Sequence, residues 1–241
     1  IHVDSQLISP DNSDDFLPGG DSRLEAFLTG IRNNSMNDEG TTNARADIDS
    51  PPSSFNFDTM LPGRVFTMAG EQYLYLEDQG AGNHMIIRHD PIRNTSFPDQ
   101  PQVLSNWLSG LDTEVQAMVQ PVVVPEQGPI VTWNVVTWIG ENWLPANLAA
   151  FPEAAADVTT VNPSGTPQAF ALSFADVNRL SGTGLGFPNP RQRAGVNDSW
   201  WWTRTIASHS AAWRVSSVFD YVPYVRSTDH GGNRPAIIIH Q

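Results

Sequence analysis

The chain has no cysteine among its 241 residues. That excludes disulfides, thiolate metal sites and cysteine nucleophiles together. Lysine is missing too, because all 13 basic residues are arginine. No lysine–asparagine isopeptide crosslink can therefore form within the chain, so it is no self-linking pilin of that type. No apolar run approaches the roughly 18 residues that a membrane-spanning helix needs. Charge is scarce at 16% and lopsided, with a formal net charge of −13. Such a surface repels phosphate backbones and anionic lipid, so neither nucleic acid nor membrane insertion is expected. The first residue is Ile1 and no signal-like segment follows, which reads as a mature or trimmed fragment of a longer product.

What is present is aromatic, glycine and proline. The chain carries 8 Trp and 11 Phe beside 18 Gly and 19 Pro. Each aromatic buries about 150–250 Å², so a substantial core can form. The turn residues point to a strand-rich, loop-rich fold rather than a helical bundle. The length fits one large domain or two small ones.

Residues 1–60 read as an N-terminal extended arm. A short helix is expected at Leu24, Phe27, Leu28 and Ile31, followed by a polar linker from Asn33 to Asp58. From Leu61 the pattern becomes β-prone. Val65–Met68, Tyr73–Leu76 and His84–Arg88 predict an antiparallel meander, with turns at Gly70 and at Gly80–Asn83. Val103, Leu104, Trp107, Leu108, Leu111, Val115 and Met118 predict one or two helices broken near Gly110. An insertion is expected near 129–168, with strands around Trp133, Trp138 and Trp143 and a loop over 151–168. Ser173 and Asp176 predict a capping box. The closing strands are expected at Trp200–Ile206, Ala211–Ser216, Tyr221–Arg226 and Arg234–His240.

The order Leu104–Leu108, Leu172–Asp176, Trp201-Trp202-Thr203-Arg204-Thr205 and Asn233-Arg234-Pro235-Ala236-Ile237 resembles a C-type-lectin-fold domain of bacterial surface and secreted proteins. That family is related to the formylglycine-generating enzymes and ends in a W-W-x-R-S/T strand and a G-x-R-P-A strand. The resemblance covers 61–241. It implies an α+β, C-type-lectin-like fold: twisted antiparallel sheets, two or three short helices and long loops. The oxidase chemistry of the related enzymes needs cysteines that are missing here, so no enzyme is expected.

The strand at Trp200–Thr205 carries bulk on both faces, which predicts burial on both sides. Arg204 within it needs a carboxylate or carbonyl partner. Histidine supplies no metal motif: His84 and His89 fall on opposite strand faces, and no HExxH occurs.

Two ligand regions follow from the resemblance. Lectin-fold proteins expose the loops between the closing strands, here 206–212 and 217–233. The candidate ligand residues there are His209, Tyr221, Tyr224, Arg226, Asp229 and His230. Trp213 and Phe219 belong to the same aromatic stretch, with Trp213 read as core first. Sugar-binding C-type lectins also hold calcium through a proline loop and a W-N-D-like strand start. Phe187-Pro188-Asn189-Pro190 and Val196-Asn197-Asp198 echo these, giving Asn189, Asn197 and Asp198 as calcium candidates. Calcium takes about six to eight oxygens, and these residues supply three side chains.

The leading expectation is an extracellular or cell-surface, non-catalytic binding module. Its partner would be a glycan or a surface protein, recognised through the C-terminal aromatic loops. The alternative is a structural subunit of a surface layer, fibre or pilus that pairs with copies of itself through residues 1–60.

Overall fold

In Tyr73-Leu74-Tyr75-Leu76 every side chain is buried to within 1%, although successive residues of a strand face opposite ways. The strand must therefore be covered on both sides, and the whole arrangement follows from that. The computed structural model describes residues 46–125, 128–132, 138–139, 144–195, 200–216 and 224–241.

Strands β2 (Val65–Met68), β3 (Glu71–Gly80) and β4 (Asn83–Arg88) form the antiparallel meander expected from the sequence. The last strand, β14 (Ala236–His240), returns to pair antiparallel with β4, setting Ala236 opposite Ile87 and Ile238 opposite Met85. A two-residue strand, β1 (Asp49–Ser50), pairs parallel with β2 and completes the order β1-β2-β3-β4-β14. Phe66, Tyr73, Tyr75, Ile86, Ile237 and Ile239 face one core cluster. Val65, Leu74, Leu76, Met85, Ile87 and Ile238 face another.

Helices α1 (Gln100–Ser109) and α2 (Thr113–Met118) cover the first face, separated at Gly110 as the spacing predicts. The same face also receives Phe55, Phe57 and Met60. Gln241 clamps this segment, since its Oε1 accepts from Phe57 N at 2.9 Å and its Nε2 donates to Phe55 O at 2.8 Å. Residues 46–60 thus pair with and pack against the first sheet. The stretch looked like linker because its few apolar residues are diluted by polar neighbours. The helix expected at Leu24–Ile31 lies outside the described residues.

A second sheet covers the other face. It contains β5 (Ile92–Thr95), β10 (Trp200–Ser208), β11 (Ala211–Ser216), β12 (Tyr224–Arg226) and β13 (Gly231–Asn233), in the order β12-β11-β10-β13-β5. Trp201 and Val215 pack there against Phe170, Leu172, Val177, Leu180 and Phe187. Trp213 is fully buried in a third cluster, stacked on Phe174 at 4.8 Å, with its Nε1 donating to Val131 O at 2.9 Å. Trp213 is therefore core and not a ligand contact. The described residues form an α+β fold of mainly antiparallel sheets with short helices.

The expected insertion is knit into this framework. Strand β6 (Pro121–Val122) pairs antiparallel with β9 (Thr166–Pro167), and β7 (Trp138–Ile139) with β8 (Leu144–Pro145). Helix α3 (Pro152–Ala156) buries Ala154. The strand signals at Trp133 and Trp143 lie outside the described residues. Helix α4 (Phe174–Arg179) opens with the capping box read from the sequence, in which Ser173 Oγ accepts from Asp176 N at 2.9 Å and Asp176 accepts from Ser173 N at 3.2 Å. Removing such a cap costs about 1 kcal/mol. Ser173→Ala is therefore expected to lower unfolding stability by about that amount in urea titration, with an unchanged m-value.

Candidate binding groove and the C-terminal turns

Arg204 projects from β10 into the interior and is 5% exposed. Its partners are those its burial demands. Nε donates to both oxygens of Asp157 at 3.1 Å, and Nη2 donates to Asp157 Oδ1 at 2.6 Å. Nη1 donates to Thr159 Oγ1 and to Ala171 O, both at 2.8 Å, and lies 3.1 Å from Asp176 Oδ2. Asp176 is fully buried and also accepts from Thr159 N at 3.0 Å and from Thr159 Oγ1 at 2.8 Å. Beyond it, Arg179 donates to Asp176 and forms a close ion pair with Glu77. The chain Asp157–Arg204–Asp176–Arg179–Glu77 alternates in sign, so each charge has an opposite neighbour. It ties the segment at 157–159 to α4, β10 and β3.

Glu77 and Arg179, at one end of this network, line an open groove of about 310 Å³ together with Gln79, Asn83, Val158, Thr160 and Val161. Glu77 and Gln79 come from the far half of β3 and Asn83 from the start of β4. The Val158–Val161 segment forms the facing wall. Gln79 Nε2 donates to Glu77 Oε1 at 2.8 Å and to Thr159 O at 2.9 Å. Both acceptors are oxygens, which fixes the amide's orientation. Gln79 Oε1 is then an acceptor shielded from water with no hydrogen-bond partner. Buried acceptors are rarely left in that state. The groove thus offers a carboxylate, a guanidinium, two carboxamides and a hydroxyl beside two valines. Nothing in the sequence singled these residues out, because they come from three separate segments with no shared spacing.

The residues expected to bind ligand gather elsewhere. His209 is exposed at the turn between β10 and β11. Arg226 at the end of β12, and Asp229 and His230 between β12 and β13, are exposed. The two turns are joined, since Ser227 N donates to Ser210 O at 2.9 Å and Arg226 lies opposite Ala211. His230 Nδ1 is 3.4 Å from Asn94 O. The backbone sets Tyr224 opposite Trp213. Tyr221 and Phe219 lie outside the described residues. On the outward side of this sheet Trp200 is half-buried, with the Arg214 guanidinium 5.0 Å above its ring. A Cβ at position 231 would fall 2.1 Å from Trp200 Cζ3, so the indole lies flat against the strand only because Gly231 is there.

Of the calcium candidates, Asn197 and Asp198 lie outside the described residues. Asn189 caps α5 (Pro190–Ala194): its Oδ1 accepts from Gln192 N at 3.0 Å and its Nδ2 donates to Gln192 Oε1 at 3.2 Å. Among the described residues no group of three or more His, Asp or Glu side chains is placed to hold a metal ion. His84 is buried within β4, with Nδ1 3.0 Å from Tyr75 Oη and Nε2 3.3 Å from Asp58 Oδ1. His89 lies past the end of that strand, beside Asp90. No helix among the described residues is long and apolar enough to cross a membrane. No protein-family model, curated protein or solved structure matches the chain.

Proposed function

We propose that the chain is a non-catalytic binding module of a cell-surface or secreted protein, built on a C-type-lectin-like framework, and that it holds the end of a glycan in the groove between β3 and Val158–Val161. The observation that carries this reading is the lining of the groove, where the Glu77–Arg179 ion pair, Asn83 and Thr160 stand beside Val158 and Val161. A sugar hydroxyl donates one hydrogen bond and accepts another. Glu77 and Asn83 Oδ1 would accept from sugar hydroxyls, Arg179 would donate, and Val158 and Val161 would meet the C–H face of the ring. At about 310 Å³ the groove sits at the small end of ligand sites, which run to about 300–1,000 Å³. It suits a terminal sugar better than a long chain. The framework reading draws support from the two motif strands, since Trp201–Thr205 and Arg234–Ile237 are buried throughout.

A second reading places a protein ligand on the C-terminal turns. It is favoured by the joining of two turns that expose His209, Arg226, Asp229 and His230 together. Residues 46–60 pack on the first sheet and leave these turns uncovered. Assembly through the N-terminal arm rests on residues 1–45, which lie outside the described residues.

A glycan array probed with the labelled full chain tests the proposal, followed by calorimetry on the best binder. Asn83→Ala is expected to weaken binding about ten-fold, or about 1.4 kcal/mol, while His209→Ala and Arg226→Ala leave it unchanged. The reverse pattern would move the site to the turns. A blank array would sink the glycan reading.

A further inference from the structure

The groove beside β3 accepts hydrogen bonds more readily than it donates them. Asn83 Nδ2 donates to Gly80 O at 3.1 Å and to Ala81 O at 3.4 Å. Both partners are carbonyls, so the amide is fixed and Oδ1 is the atom left for a ligand. Gln79 uses its amide donors within the protein, on Glu77 Oε1 and Thr159 O. Arg179 directs Nε and Nη2 to Asp176 Oδ1 at 3.3 and 3.2 Å and Nη1 to Glu77. Three of the five N–H donors of its guanidinium are thereby engaged. Glu77 accepts one bond on each carboxylate oxygen, and each oxygen keeps a second lone-pair direction. Thr160 is exposed, and its hydroxyl can donate or accept.

Charge points the same way. The series Asp157–Arg204–Asp176–Arg179–Glu77 holds three carboxylates and two guanidiniums, so its own pairing leaves one negative charge over. Asp157 and Asp176 are enclosed, with side chains 8% and 0% exposed. Glu77 is 22% exposed and lines the groove. A ligand therefore meets the excess charge at Glu77.

We propose that the groove selects an amino sugar with a free, unacetylated amine, whose ammonium group rests against the Glu77 carboxylate. This rests on the reading of the groove as a site for the end of a glycan and narrows it to one class. An ammonium brings three donors and no acceptor, which complements a groove short of donors. Its hydrogen bond to a carboxylate is about twice as strong as one between neutral groups. Asn83 Oδ1 and Thr160 take ring hydroxyls, and Val158 and Val161 take the C–H face. Acetylation would remove the charge, reduce the donors to one and add an acceptor where acceptors already dominate. A uronic acid would set a second carboxylate against Glu77 and be rejected.

Calorimetry of the full chain tests this with glucosamine and galactosamine oligomers, each in free and N-acetylated form, at about pH 6, where the amine is charged. One of the free oligomers is expected to bind about ten-fold tighter than its acetylated form. Raising the pH until the amine is neutral should erase that advantage. No histidine lines the groove, so the loss reports the proton on the ligand and needs no variant. Glu77→Gln should erase the same advantage at the lower pH and leave the acetylated form's affinity in place. Free and acetylated forms that bind alike would overturn the amine preference and keep the sugar site. No binding by any oligomer would overturn it too, and the glycan array then decides separately whether the groove holds another sugar.

Discussion

Arg204→Met is expected to lower unfolding stability by about 3–5 kcal/mol, the usual consequence of removing one member of a buried ion pair. The side chain that replaces it fills much of the volume, so lost packing contributes little. What remains is two carboxylates. Asp157 loses its bidentate partner, and Asp176 loses one of its two guanidinium neighbours. Both lie in water-poor surroundings, Asp157 with its side chain 8% exposed and Asp176 with 0%. For a chain of this size a loss of that order lowers Tm by roughly 10 °C. Calorimetry of the variant checks the prediction. The effect has a local signature as well. Asp157 and Thr159 are the anchors of the groove wall, so amide exchange should quicken at Thr159, whose N–H is held by Asp176. A double-mutant cycle with Asp157→Asn should be strongly non-additive, because the second change relieves a charge that the first has stranded. A loss below about 1 kcal/mol would show that water enters and screens the network, as at an exposed pair.

The same arginine shows how far the sequence carries. Its need for a partner follows from elementary electrostatics, given tryptophans on either side. Which residues would answer that need did not follow. Asp157 sits in a stretch of Ala, Asp, Val and Thr with no periodicity, and its role depends on a fold-back of 47 residues along the chain. The meander, the helix break at Gly110 and the capping box at Ser173 were legible because each is encoded by neighbours: alternation, a missing side chain, a fixed i, i+3 pair. Phe55, Phe57 and Met60 were not, since three apolar residues among polar ones carry no period. The groove was hidden for a related reason. Gln79 and Asn83 look like turn residues, and only tertiary placement strips water from one oxygen and leaves the other groups wet. The closing motifs point the other way. Trp201, Trp202 and Trp213 were the most conspicuous residues in the sequence, yet all three are fully buried. Their prominence reports framework, while the ligand candidates are plain polar residues around it.

Acid is expected to destabilise the protein as pH falls below about 6.5. Burial, aided by the positive charges of Arg234 and Arg88 and opposed by Asp90, pushes His89 down from 6.5 to about 4. Burial likewise lowers His84, against the pull of Asp78 and Asp58 and with a small push from His240. Both rings are therefore neutral in the folded state over a range in which the unfolded chain protonates them. A group with a depressed folded pKa of this kind takes up protons mainly on unfolding. Its contribution is complete above about pH 6.5 and is lost as pH falls toward the folded value. For His89 alone the loss between pH 7 and pH 5 is about 2 kcal/mol, approaching about 3 kcal/mol near pH 4, at 1.36 kcal/mol per pKa unit. The His89 side chain is 20% exposed, so screening trims this modestly. Urea titrations across that range should show stability falling with pH, with a slope that His89→Gln reduces. His84→Gln should remove a further share and loosen the Asp58 segment, whose contact with the ring is 3.3 Å. A flat profile down to pH 5 in the unaltered chain would mean that both rings reach solvent in the folded state.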